Sequence, residues 1–68
     1  MKIISGKELA RLLEKRGWQL VRINGSHHVY LKRGSPLRVS IPVHSNRALK
    51  IGLQKHLMKL AEIHENEL

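Results

Sequence analysis

The sequence predicts an α+β domain in the order α-β-β-β-α, a three-stranded antiparallel sheet with two helices on one face. Three observations carry this reading: an amphipathic stretch that opens on Ser5 and closes on Gly17, a hairpin signal at Asn24-Gly25, and leucines recurring at helical spacing from Leu49 onward. With 68 residues the chain is expected to form a single domain, 1–68, near the lower size at which a hydrophobic core alone sustains a fold.

Ser5-Gly6-Lys7-Glu8 has the form of a capping box, in which Ser5 accepts from the amide of Glu8 while Glu8 reaches back to Ser5. Leu9, Leu12 and Leu13 follow as one apolar stripe, and Lys7, Arg11 and Lys15 form a basic edge beside it. Gly17 is expected to close the helix in a left-handed conformation, with Trp18 folding back as the apolar contact of the cap. Trp18–Ile23 reads as the first strand; it is apolar on both parities, so periodicity does not choose its buried face. Asn24-Gly25 is the dipeptide of a type I′ turn, which requires φ > 0 at both central residues, so Ser26 and His27 would open the return strand.

The second strand, His27–Lys32, offers His27, Val29 and Leu31 on one parity and His28, Tyr30 and Lys32 on the other. Beyond a turn at Arg33-Gly34-Ser35-Pro36, the third strand Leu37–Ile41 alternates, with Leu37, Val39 and Ile41 expected inward and Arg38 and Ser40 outward. Pro42 has no amide to donate and should stop the ladder. Val43–Arg47 is a loop that includes His44. Leu49, Leu53, Leu57, Leu60 and Ala61 then form a helical stripe with Lys55 and Lys59 on another face, and Gly52 places the helix start near itself, after a turn at Ala48–Ile51. The acidic tail, Glu62–Leu68, is expected to fray.

Charge narrows the function. Thirteen Lys and Arg stand against five Asp and Glu, and three of those five acids lie in the last seven residues, so residues 1–61 carry +11. A density of this kind repels itself unless a polyanion neutralises it, which makes nucleic acid the expected partner. The final helix lacks helix-turn-helix spacing, which argues against DNA reading by that element. The absence of cysteine excludes a disulfide framework and a thiolate metal cluster, and a reducing cytoplasm is the expected setting. No apolar run approaches the ~20 residues that span a bilayer, and Ile3-Ile4 is too short for a signal-peptide core.

Five histidines are the chemistry-bearing residues. Metal binding would require His27, His28 and His44 to converge, yet adjacent strand residues point to opposite faces and no acid stands nearby to orient a ligand; no metal or cofactor is expected. A serine nucleophile at Ser26 would lack an aspartate, since the chain has none. Two readings remain for a strand histidine: a structural polar residue, or a general acid–base that titrates near neutral pH without a cofactor. His27 is the foremost position for the second, because Gly25 beside it leaves room for a large substrate.

Gly25-Ser26-His27-His28-Val29-Tyr30, then Val39-Ser40-Ile41-Pro42-Val43-His44, then Leu49-Lys50-Ile51-Gly52 before a basic helix, together resemble the HicA family of mRNA interferase toxins. The resemblance runs from about Ser5 to Ile63 and rests on the order and spacing of these short motifs. It implies a fold like a double-stranded-RNA-binding domain, a metal-independent endoribonuclease acting on mRNA, and a HicB-like antitoxin as protein partner. The family's functional histidine follows the Gly-Ser pair and falls on His27. Gly25, Ser26, His28, Arg38, Lys55 and Lys59 are then the residues expected to bind the RNA, and His28 or His44 a second acid–base group. The chain departs from the family at Leu53-Gln54, where Thr-Leu is usual, and at Glu62, where glycine is common. A non-catalytic RNA-binding module of the same fold is the alternative, and it would not need His27.

Overall fold

A computed structural model describes all 68 residues. It has the predicted order: α1 (Gly6–Lys15), β1 (Gln19–Asn24), β2 (His27–Leu31), β3 (Arg38–Pro42), α2 (Ile51–Ala61) and a short 3₁₀ turn, Glu65–Glu67. The sheet is antiparallel in the order β1-β2-β3. Tyr30, Val39 and Ile41 on one face pack with Leu9 and Leu13 of α1 and Leu57 and Met58 of α2 in a single core. Both helices therefore cover the same face, and the opposite face lies open.

The capping box forms: the Glu8 amide donates to Ser5 Oγ at 3.1 Å, and the Ser5 amide donates to Glu8 Oε1 at 3.2 Å. At the other end Gly17 adopts φ +92°, its amide donates to the Glu14 carbonyl, and the Trp18 amide donates to the Leu13 carbonyl. This is the left-handed cap with its apolar plug. Trp18 is thereby 4% exposed and belongs to the cap, so the first strand begins one residue later than expected. The second helix closes in the same way without a glycine. Glu62 takes φ +57° and buried Ile63 donates its amide to the Met58 carbonyl. Position 62 is thus one where the backbone is left-handed and a glycine would be unstrained.

Several inward assignments change. Leu37 is 41% exposed, because the third strand starts at Arg38 and only Val39 and Ile41 point into the core. Pro42 pairs with His27 as the last residue of β3 and ends the ladder from inside it. On α2 the buried face is Gln54, Leu57, Met58 and Ala61, whereas Leu53 is 37% exposed. Leu49 lies before the helix and is out of phase with it, which is why counting from Leu49 misplaces Leu53. Gln54 is fully buried: Oε1 accepts from the Ile4 amide at 2.9 Å, and Nε2 donates to the Lys2 carbonyl at 2.7 Å. It ties the N-terminal segment to α2.

The tail does not fray. Leu68 packs against the core, and Glu67 receives Nε and Nη2 of Arg16 on its two carboxylate oxygens. Arg16, with the His64 amide, holds the Glu67 carboxyl below its ordinary value. A depressed carboxylate contributes stability that is present above the ordinary value and is lost as pH falls through the lowered one. The tail amides of Glu67 and Leu68 are therefore expected to lose hydrogen-exchange protection on acidification below the carboxylate range, before the sheet does. Protection of those amides that persists to acid pH would mean that Ile63 and Leu68 hold the tail without the ion pair.

Candidate active site on the open sheet face

The hairpin sits one residue further on than the Asn-Gly signal implies. Asn24 is the last residue of β1 and pairs with His27, leaving Gly25-Ser26 as the two-residue turn. Gly25 has φ +62°, and Ser26 is not left-handed. Positive φ at the first central residue alone is the pattern of a type II′ turn, for which Gly-Ser is suited. The tip is pinned to the sheet, since the Val43 amide donates to the Ser26 carbonyl at 2.7 Å.

Register then decides which side chains share the open face. Asn24, His27 and Pro42 form one row across the three strands; Arg22, Val29 and Ser40 form the next; Gln19, Leu31 and Arg38 form the third. A bulge between Leu20 and Arg22 is responsible for the middle row. Without it Arg22 would share a face with Leu20, which pairs with Tyr30 on the covered side. The bulge also accounts for the double apolar parity of β1. Leu20 and Ile23 fall on the covered side at the sheet edge, where they stay partly exposed, and Val21 is the unopposed residue.

His27 is exposed, and its Nδ1 lies 3.5 Å from Ser40 Oγ. Together with Val21, Arg22, Asn24, Val29 and Arg38, these two residues line a shallow depression of about 370 Å³. No acid lines it, and neither Arg22 nor Arg38 takes part in a salt bridge. Two free guanidinium groups sharing a depression with an imidazole can hold an anion near a proton acceptor or donor.

Of the expected site residues, the structure brings His27 and Arg38 to this face, two rows apart, with Gly25 and Ser26 at the hairpin tip next to His27. His28 does not join them: it is half-buried on the helix-covered face, in the row of Ile23 and Ile41. Lys55 and Lys59 lie on α2, across the sheet from His27. His44, in the loop after β3, lines a separate hollow with Arg47 and Lys50. Tyr30 is fully buried, and its hydroxyl donates to Glu14 at 3.0 Å; burial and that carboxylate push its pKa up to about 12. It is a packing residue and offers no surface for stacking. Arg22 and Ser40 were not singled out as binding residues by sequence reasoning. Ser40 was legible from the alternation of the third strand, but Arg22 was not, because the bulge reverses its parity. No three of the His and Glu side chains gather as metal ligands.

The fold and site define a small basic α+β domain whose open sheet presents a histidine and two unpaired arginines in one depression. The family model described as HicA toxin of bacterial toxin-antitoxin matches residues 6–63. The chain belongs to the HicA toxin family, and that membership implies a cognate antitoxin as partner. No curated protein matches the chain significantly. No helix is long and apolar enough to cross a membrane.

Proposed function

We propose that this toxin is an endoribonuclease that cleaves mRNA by transesterification, with His27 as its general acid–base. The observation that supports this most is that exposed His27 shares one depression with Arg22, one row along, and Arg38, two rows along, on a face that neither helix covers. In the reaction the RNA 2′-oxygen bonds to the adjacent phosphorus and the bond from phosphorus to the 5′-oxygen breaks. The 2′-hydroxyl loses a proton and the leaving 5′-oxygen gains one. His27 takes the first proton or delivers the second. Arg22 and Arg38 hold the non-bridging oxygens, on which negative charge develops. Ser40, beside Nδ1, biases that nitrogen toward one hydrogen-bonding role and leaves Nε2 to face the substrate. Gly25 and Ser26 keep the hairpin tip low beside the phosphate. A HicB-like antitoxin would silence the toxin by covering this face.

The chemistry requires the 2′-hydroxyl. An RNA with a 2′-deoxy nucleotide at the scissile position should bind and resist cleavage; cleavage of that substrate would overturn the transesterification reading. The electrostatics are also testable. Affinity for uncleavable RNA should fall steeply with salt, and replacing Arg22 and Arg38 with Gln should flatten the log–log slope by about 0.7 for each phosphate no longer neutralised. Replacing Lys55 and Lys59, across the sheet, should flatten it less. The opposite ranking would move the RNA to the helical side.

A further inference from the structure

On the helical side a basic cleft of about 660 Å³ lies between the β2–β3 turn and α2. Lys32 and Arg33 enter it from the turn, His56 and Lys59 from α2, and Leu37 supplies an exposed apolar wall. Trp18 forms its inner side, with Lys32 Nζ 6.0 Å from the ring centroid. The Trp18 indole N–H is buried and has no acceptor, the one such orphan side-chain group in the protein. Every polar group named here is a donor or a cation apart from the two-way imidazole of His56, and the single acid at the rim is Glu62. The ligand must therefore be anionic, and the leucine wall calls for an apolar side chain as well.

We propose that this cleft is a docking site for an acidic, partly apolar segment of the cognate antitoxin. Two observations favour polypeptide over RNA. Trp18 is buried beneath Lys32 and presents no free ring face for a base to stack on. The cleft also opens on the face opposite His27, at the far end of β2 and about 17 Å along it. An RNA strand lying on the open face would have to turn round the sheet end to reach it. A protein that covers the open face can extend a segment round that end and gain a second anchor there. The inference rests on membership of a toxin–antitoxin family and does not depend on the ribonuclease chemistry.

Trp18 is the only tryptophan, so its emission reports on this cleft alone. The probe is a short synthetic peptide alternating glutamate and leucine, titrated into the full chain at physiological salt. A saturable change in Trp18 emission is expected. Binding should weaken roughly tenfold or more in Lys32→Gln/Arg33→Gln, which removes charge-assisted hydrogen bonds, and also weaken in His56→Gln/Arg33→Gln, which leaves the cover over Trp18 intact. Lys7→Gln/Arg11→Gln, an equal charge change on α1, should leave it unchanged. The proposal is overturned by an absent or non-saturable response, by equal weakening in the α1 variant, or by equal binding of a glutamine-for-glutamate peptide. It is overturned too if a 2′-deoxy oligonucleotide saturates the Trp18 response more tightly than the peptide, which would assign the cleft to nucleic acid. Cleavage is not read in any arm, so failure here leaves the His27 reading standing.

Discussion

His27→Ala is expected to lower the RNA cleavage rate by about 10²–10⁴-fold, the contribution of a positioned acid–base group, and to abolish toxicity in cells. The fold should survive. His27 is exposed, its one side-chain hydrogen-bond partner is Ser40 at 3.5 Å, and it contributes nothing to the core. A melting temperature close to that of the parent chain would establish that the loss is chemical. RNA affinity should change little, because Arg22 and Arg38 remain in place. His28→Ala is the informative control, since that ring lies on the covered face and should not share the effect. Near-parental cleavage by folded His27→Ala would remove His27 from the mechanism and assign the chemistry to another group; absence of cleavage by the parent chain itself would leave an RNA-binding module in its place.

Gly6→Ala is expected to destabilise the protein by about 1–3 kcal/mol, the usual range for overpacking. Gly6 is buried in the first turn of α1, and a β-carbon there would penetrate the carbonyl group of Pro42. That neighbour is backbone, so it cannot swing aside as a side chain would. Either α1 lifts from the sheet or the end of β3 moves. The second response reaches the site, because Pro42 is paired with His27 and Val43 holds the Ser26 carbonyl. The urea midpoint should fall, and cleavage by the remaining folded protein should drop with it although no site side chain has changed. Unchanged stability would show that the first turn of α1 is free to move away from β3.

Local chemistry was legible in the sequence wherever a signal involved residues within a few positions of each other. The Ser5–Glu8 box, the Gly17-Trp18 cap, the element order and the inward Val39 and Ile41 all belong to this kind. Misreadings arose where two local signals competed. Asn24-Gly25 and Gly25-Ser26 are both turn dipeptides, and the pairing of Asn24 with His27 selected the second. Leu53 and Gln54 differ by one helical step, and the choice fell to Gln54 because the Ile4 amide and the Lys2 carbonyl needed partners. Burial there follows hydrogen-bond satisfaction more than hydropathy.

By itself the sequence determined the α-β-β-β-α order, the basic surface and the histidine next to the hairpin glycine, since each depends on residue type and short-range spacing. Only the tertiary structure decided which face His27 would share and with whom. That outcome depends on strand register, and a single inserted residue in β1 reverses every side chain beyond it. The bulge at Val21 moved Arg22 from the covered side to the open one, in the row of Val29 and Ser40 and one row from His27. Helix packing over Tyr30 and Ile41 in turn closed the other face to His28 and placed Lys55 and Lys59 behind the sheet. Periodicity alone cannot anticipate this, because a bulge is defined by the strand it pairs with.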